Sequence, residues 1–204
     1  GVPARAIVRT TVTSTVRISP RGEDRLRAGH PWIYRTDVRD ADAGAGPVVR
    51  VLGPKDRLLG HALFSGPSQI SLRMISRGDA PVDEAFWRAR LKAAIEFRAS
   101  LGLDATAYRL IHGEADRLPS LIVDKYADLL VLQALSQGMD HLVPMLVPML
   151  VELTGATGVL ARNDPKVRLL EGLEQKVEPL YGEVPETVAV REGRSIRDVE
   201  LIIE

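Results

Sequence analysis

The sequence of 204 residues contains no cysteine. This absence excludes a disulfide framework, a zinc site built from cysteine ligands and a thiolate nucleophile within the chain. The chain therefore cannot by itself supply chemistry that depends on a cysteine.

Long hydrophobic runs are also missing. The longest apolar run, residues 142–151, is ten residues long and is interrupted by Pro144 and Pro148. A membrane-spanning helix needs about 18 to 20 apolar residues, so we expect no membrane partner. The first residues likewise lack the apolar core of a signal peptide. Together with the missing cysteines, these features predict a cytoplasmic protein.

The net charge is zero, because 27 Lys and Arg residues balance 27 Asp and Glu residues. The charges are unevenly distributed: residues 1–78 contain 13 basic and six acidic residues, a net charge of +7, which leaves −7 for residues 79–204. Such asymmetry fits a basic region that meets a polyanion. It fits equally well two solvated surfaces of opposite sign that attract each other.

Residues 1–78 have the pattern of a small all-β domain. Thr13 to Ser19 alternates between polar and apolar residues, and a turn at Pro20 leads into a short arginine-rich helix. After a loop at residues 42–47, further β-like runs follow at residues 48–52, 58–64 and 70–75. Closely spaced strands broken by glycine and proline turns predict a small barrel. The loop at residues 78–81 marks the boundary to a second domain, residues 79–204.

The second domain has a different periodicity. Its apolar residues predict a helix from about Val82 to Leu101, and a second, apolar helix from about Asp140 to Leu153 with a late start or a kink at its two prolines. A short helix is predicted at residues 165–172, and strands are predicted at residues 108–111, 121–123, 129–135, 159–162, 177–181, 188–191 and 199–203. The fold class is therefore predicted as α+β.

The string GHPWIY, residues 29–34, follows the arginine-rich helix. Aromatic side chains set between arginines can stack on unpaired bases while guanidinium groups bind phosphates. The candidate RNA contacts in residues 1–78 are Arg25, Arg27, His30, Trp32, Tyr34, Arg35 and Arg73. The alternative for Trp32 is that it packs inside the barrel, with Pro31 setting a turn.

A second cluster, His112, Glu114, Asp116 and Arg117, falls in one predicted loop. It could be acid–base machinery in which His112 is the base, a carboxylate orients it and Arg117 holds an anion. It could also be a hydrogen-bonded loop in which Asp116 and Arg117 are structural. We favour the structural interpretation, because there is no partner nucleophile and no second cluster with the spacing of metal ligands. No catalytic residue and no metal site are therefore predicted.

A third cluster consists of Arg162, Lys166 and Arg168. These side chains could contact RNA or another domain. Equally, they could belong to a solvated helix in which Arg168 pairs with Glu171 three residues later.

Two strings together resemble one enzyme family. The string YRLIHGEADRLPSLIVD, residues 108–124, and the string GHPWIY are similar to those of the SAM-dependent methyltransferases that form 5-methylcytosine in large-subunit ribosomal RNA. The segment from Arg162 to Leu173 also resembles this family, although Pro165 departs from its pattern. The resemblance implies an N-terminal PUA domain, which is an RNA-binding barrel, followed by the α+β middle domain of the family.

The same resemblance implies what is missing. The family uses a Rossmann-like catalytic domain with a glycine-rich SAM loop, and a cysteine that adds to the pyrimidine ring. Neither feature occurs in this sequence. We therefore expect no cofactor in this chain, with S-adenosylmethionine needed only by the full-length enzyme, and a missing catalytic domain as a partner. The loop at residues 112–117 would then contact RNA or that domain.

The resulting interpretation is the RNA-binding and positioning portion of a 23S rRNA (cytosine-C5) methyltransferase, inactive by itself, with large-subunit ribosomal RNA as partner. The alternatives are a stand-alone PUA RNA-binding protein, or a protein-interaction or dimerisation module with the helix at residues 142–153 exposed at an interface. A homodimer is expected if residues 187–204 or Met145–Leu150 leave an unpaired edge or exposed apolar surface.

Overall fold

A computed structural model describes residue 12, residues 14–42 and residues 47–201. Most of the loop predicted at residues 42–47 lies outside this part of the chain. So do Thr13 of the first predicted strand and residues 202–203 of the last one.

Six strands form the first sheet. They are β1 (Thr15–Ile18), β2 (Trp32–Tyr34), β3 (Val38–Ala41), β4 (Val48–Leu52), β5 (Leu58–Phe64) and β6 (Ile70–Arg77). Their order is β2-β6-β5-β4-β1-β3, with β1 and β4 parallel and the other pairs antiparallel. Strands β2 and β3 form the two edges of this sheet, yet only the turn Arg35–Asp37 separates them in the chain. The sheet therefore has to curl until its two edges approach each other.

Helix α1 (Pro20–Arg27) lies against the first sheet. It begins where Ser19 accepts a hydrogen bond from the backbone N–H of Gly22, and Pro20 occupies its first turn. The buried apolar side chain of this helix, Leu26, joins the core of the first sheet. The short helix predicted after Pro20 is thereby confirmed.

Five strands form the second sheet. They are β7 (Ala107–His112), β8 (Leu121–Tyr126), β9 (Leu129–Ala134), β10 (Gly158–Asn163) and β11 (Lys176–Gly182). Their order is β11-β10-β9-β8-β7, and only β9 and β10 run parallel. The parallel pair is possible because α3 (Gln137–Thr154) provides the crossover between the two strands.

Both faces of the second sheet are covered. Helices α2 (Glu84–Ser100) and α3 pack on one face, where Leu130 and Leu132 are fully buried. The hairpin of β12 (Thr187–Glu192) and β13 (Ser195–Glu200) covers Leu129 and Val131 on the other face. Burial on both faces explains why β9 begins with four consecutive apolar residues instead of alternating.

Helix α3 corrects one expectation. It begins at Gln137, with Ser136 as its N-cap, and continues through both prolines instead of starting at Pro144. Pro144 and Pro148 are exposed, four residues apart on the same side of the helix. Water can therefore satisfy the carbonyls that lose their helical donors, and the helix tolerates both prolines.

Most of the apolar side chains expected to mediate self-association pack within the chain, whereas Ile196 of β13 is 74% exposed. Leu146, Met149 and Leu150 of α3 lie in the core of the second sheet. Leu201, from the expected edge strand, packs against Leu129 on the hairpin side. These side chains have partners within the chain, and the expected homodimer stays a prediction. No helix in those residues has the length and hydropathy to span a bilayer.

A buried ion pair joins the two sheets. Arg73 of β6 donates to Oε1 of Glu171 over 2.9 Å, and the second oxygen of Glu171 accepts the backbone N–H of Gln137 over 3.1 Å. The side chains of Arg73 and Glu171 are 8% and 3% exposed. Burial alone would raise the pKa of Glu171, but the hydroxyl of Ser68 and the charge of Arg73 lower it below its ordinary value.

Close packing accompanies this ion pair. A Cβ added to Gly138, in the first turn of α3, would lie 3.0 Å from Cβ of Leu63 and 3.0 Å from the carbonyl oxygen of Pro47. Glycine at this position therefore lets α3 approach the first sheet, and Leu63 of β5 joins the core of α2 and α3.

Replacing Glu171 by Gln should lower the free energy of unfolding by about 3 kcal/mol at neutral pH, because the buried guanidinium of Arg73 would lose its counter-charge. The matched control is Glu174→Gln, which removes an exposed carboxylate from the same loop. Urea denaturation measures both, and an equal loss in the two variants would contradict the role of the ion pair.

The same pair predicts a pH dependence. Because the folded-state pKa of Glu171 is lowered, its contribution is fully present above its ordinary value of 4.5 and is lost as the pH falls through the folded-state pKa. The difference in stability between the wild type and Glu171→Gln should therefore shrink in acid. Urea titrations repeated at decreasing pH measure this difference, and a difference that stays constant would count against it.

Candidate nucleic-acid interface

Strand β2 presents a group of aromatic rings on one side of the first sheet. Successive residues of a strand point to opposite faces, so Ile33 is fully buried in the core while Trp32 and Tyr34 are half-buried on the other side. The exposed ring of His30 lies 5.8 Å from the ring of Trp32 and 6.2 Å from that of Tyr34, centroid to centroid. Three rings therefore form one cluster.

Arginines flank this cluster. The guanidinium of Arg25 in α1 lies over the ring of Tyr34, 5.0 Å from its centroid. Arg35 is exposed, and one of its guanidinium N–H groups donates to the carbonyl of Pro67 over 3.4 Å. We call these five residues, Arg25, His30, Trp32, Tyr34 and Arg35, the aromatic face.

A buried carboxylate holds the aromatic face in place. Asp37 accepts hydrogen bonds from Nε of Arg21 at 2.7 Å and from Oγ of Ser19 at 3.1 Å, and Nε of Arg25 lies 3.6 Å from it. Burial alone would raise the pKa of Asp37, but the hydrogen bonds from Arg21 and Ser19 lower it below its ordinary value. The charged carboxylate fixes α1 beside β2 and so keeps Arg25 next to Tyr34.

Trp32 connects the two sheets instead of filling the barrel. Its indole N–H donates to Oε1 of Glu114 over 3.2 Å. Ile33, instead of Trp32, is the residue of β2 that is buried in the core of the first sheet. Since Glu114 lies in the turn after β7, the loop at residues 112–117 adjoins the aromatic face.

The carboxylate of Asp116 organises that loop. It accepts two hydrogen bonds from Arg98 of α2, at 2.6 and 2.7 Å, and one from the backbone N–H of His112 at 2.6 Å. These bonds occupy Asp116, so it does not orient the exposed ring of His112. Arg117 adopts a left-handed backbone conformation, with φ of 57°, and its carbonyl accepts a hydrogen bond from Arg90. The geometry therefore supports the structural interpretation for Asp116 and for the backbone of Arg117.

Burial corrects the expected RNA contact of Arg73 and the RNA alternative for Arg168, which was predicted to contact RNA or another domain. The buried guanidinium of Arg73 forms an ion pair with Glu171. Arg168 is 1% exposed and donates to Asp140 at 2.8 Å, to the carbonyl of Glu174 at 2.8 Å and to the carbonyl of Ala134. Neither side chain can reach RNA in this conformation. The alternative prediction, a solvated helix in which Arg168 pairs with Glu171, is also wrong. Arg168 is buried, and the two residues have different partners.

The remaining basic candidates lie at the surface. Arg27 pairs with Glu23, one turn earlier in α1, at 2.8 Å. Arg162 pairs with Asp164 at 3.0 Å, and Lys166 is exposed. Of the seven RNA contacts predicted in residues 1–78, the structure brings five together in the aromatic face, and Arg27 lies nearby on α1.

Several organising residues are absent from the predicted set. Asp37 and Glu171 bind partners 16 and 98 residues away, so no local pattern indicates them. Arg98 of α2 is also absent from that set, although its side chain is only 11% exposed and pairs with Asp116. An isolated arginine among apolar neighbours on a helix offers no signal that distinguishes burial from exposure.

Comparisons with known proteins find a matching domain family and similar sequences. Residues 16–77 match the family described as PUA-like domain. The chain is 34% identical over 184 residues to "Ribosomal RNA large subunit methyltransferase I" of Vibrio cholerae, covering 87% of this chain and 46% of that protein. The protein of the same name from Pseudoalteromonas atlantica is 34% identical over 189 residues, with 89% and 47% covered. The chain thus spans about half the length of the curated relatives it matches.

Solved structures show a similar fold. A chain from Streptococcus mutans described as a SAM-dependent methyltransferase superimposes with a TM-score of 0.74 at 18% identity, covering 93% of this chain and 49% of that one. A second chain, described as a methyltransferase complexed with SAH, gives a TM-score of 0.75, also at 18% identity. At this identity the similarity establishes the fold alone.

Replacing Asp116 by Asn should lower the free energy of unfolding by about 3 kcal/mol, because Arg98 would remain buried without its counter-charge. Asp124→Asn is the control, since Asp124 pairs with Arg109 at 2.9 Å but that arginine is 45% exposed. The control should lose less than about 1 kcal/mol. Thermal and urea unfolding compare them, and equal losses would refute a structural role for the Arg98–Asp116 pair.

Proposed function

We propose that this chain contributes the RNA-binding and RNA-positioning part of a SAM-dependent 23S rRNA (cytosine-C5) methyltransferase. In this proposal residues 1–78 are a PUA-like RNA-binding domain and residues 79–204 are a middle domain. The aromatic face carries the proposal, because it combines three neighbouring rings with Arg25 over one of them and the exposed Arg35 next in the chain. The PUA-like match and the names of the relatives support it.

The aromatic face suits unpaired RNA. Rings can stack on bases that are not engaged in a duplex, while arginines bind the flanking phosphates. Trp32 and Tyr34 are half-buried and Trp32 is tied to Glu114, so these rings lose little side-chain entropy when a base stacks on them. We therefore expect a loop or another single-stranded segment of large-subunit ribosomal RNA to bind here.

The methyl transfer itself is assigned to residues outside this chain. Methylation of cytosine at C5 requires a thiolate that adds to the ring, and the sequence contains no cysteine. S-adenosylmethionine and a catalytic domain are therefore proposed as the complement of this chain. Action on ribosomal RNA also places the proposed activity in the cytoplasm.

Replacing Tyr34 by Ala should weaken binding of an unpaired large-subunit rRNA oligonucleotide about tenfold, because losing one stacked ring costs about 1–3 kcal/mol. Tyr181→Ala is the matched control, since Tyr181 is an exposed tyrosine of β11 in the second sheet. Fluorescence anisotropy of the labelled oligonucleotide measures both affinities, and circular dichroism checks that both variants are folded.

The proposal makes a further distinction between single-stranded and duplex RNA. A perfect duplex of the same sequence should compete poorly, because its base faces are hidden. Equal loss of affinity in Tyr34→Ala and Tyr181→Ala, or equal competition by the duplex, would argue against stacking on the aromatic face.

A further inference from the structure

A cleft of about 740 Å³ lies where the first sheet meets the loop after β7. Leu26, Met74 and Ile75 supply apolar parts of its wall. Its basic side chains come from α1, from the first sheet and its turns, from α2 and from the loop after β7; they are Arg27, Arg57, Arg77, Arg90 and Arg117. Two acidic residues, Glu23 and Glu114, also line it, so these seven side chains give the cleft a net charge of +3.

The acidic side chains are already occupied. Glu23 is buried and contacts the guanidinium groups of both Arg27, at 2.8 Å, and Arg57. Glu114 accepts the indole N–H of Trp32. One carboxylate shared between two arginines cannot neutralise both, so the positive excess of the cleft persists.

One arginine of the cleft, Arg90, is held by backbone carbonyls. Arg90 donates to the carbonyls of Ile75 and Arg117, and so connects the first sheet to the loop after β7. Burial and the charge of Arg117 lower the pKa of Arg90 below its ordinary value. Within the described part of the chain, Arg117 forms no ion pair, and its side chain is exposed.

The cleft is continuous with the aromatic face. His30 lines the cleft and its ring also lies 5.8 Å from that of Trp32. Glu114 lines the cleft and binds Trp32 directly. A strand of RNA whose base stacks on the aromatic face would therefore have a neighbouring phosphate beside the cleft.

We propose that this cleft binds a phosphodiester group of single-stranded RNA, with Arg117 as the guanidinium that contacts it. The site rests on the proposed RNA-binding function and gives it a second anchor, which fixes the backbone next to the stacked base. Arginine suits this role because its planar guanidinium can donate two parallel hydrogen bonds to phosphate oxygens.

The test compares Arg117→Gln with Arg194→Gln, which removes an exposed arginine from the turn between β12 and β13. Arg117→Gln should weaken binding of the unpaired oligonucleotide about fivefold and make the salt dependence shallower by about 0.7 in log–log slope. Arg117→Lys should keep the salt dependence of the wild type, because it retains the charge, and should lose less affinity than Arg117→Gln, although it cannot donate two parallel hydrogen bonds. Arg194→Gln should match the wild type, and thermal melting verifies folding of all three.

A second arm identifies the group that is bound. An oligonucleotide of the same sequence with a neutral methylphosphonate backbone should bind wild type and Arg117→Gln equally weakly. Inorganic phosphate should compete only at concentrations far above those of the oligonucleotide. If phosphate alone bound as tightly as the RNA, the cleft would be a site for a small phosphorylated ligand, and the RNA assignment would be overturned.

The outcomes separate this site from the proposed function. If Tyr34→Ala weakens binding while Arg117→Gln behaves like Arg194→Gln, RNA binding stands and the phosphate site is overturned. If the wild type binds no unpaired RNA, both proposals fail together. A loss in Arg117→Gln that persists on the neutral backbone would also overturn the phosphate assignment, because that oligonucleotide has no phosphate charge to lose.

Discussion

Arg73 and Glu171 are 98 residues apart in the chain and form a buried ion pair between the first sheet and the loop that precedes β11. The second oxygen of Glu171 binds the first turn of α3 at Gln137. One carboxylate therefore ties together β6, α3 and the segment after α4 (Val167–Leu170). Removing either charge would leave the other buried without a counter-charge, so the ion pair favours one arrangement of the two sheets.

The aromatic face depends on the same arrangement. In the ladder between β2 and β6, Trp32 lies directly opposite Arg73. Opposite residues project from the same face of a sheet, so Arg73 reaches Glu171 while its neighbour Trp32 reaches Glu114. The two contacts fix the first sheet against the second, and the arginine-lined cleft is formed along this junction.

Much of the local structure could be predicted from the sequence. Periodicity located α2, the strands of the second sheet and four of the six strands of the first sheet, but it missed the short edge strands β2 and β3. The string at residues 29–34 indicated rings and arginines that the structure brings together. Long-range pairing could not be predicted, because the partners of Arg73, Asp116 and Arg168 are set by the packing of separate elements. Helix α3 begins earlier than predicted, at Gln137. Pro144 and Pro148 are tolerated because both are exposed to solvent, and their exposure could not be read from the sequence.

Ultraviolet cross-linking of an unpaired large-subunit rRNA oligonucleotide, followed by mass spectrometry of the tryptic peptides, tests the central claim most directly. Cleavage after Arg27 and Arg35 isolates one peptide that contains His30, Trp32 and Tyr34. The aromatic face predicts that this peptide carries the dominant cross-link. Cross-links confined to the peptides of β11, β12 and β13, with none in residues 28–35, would contradict it.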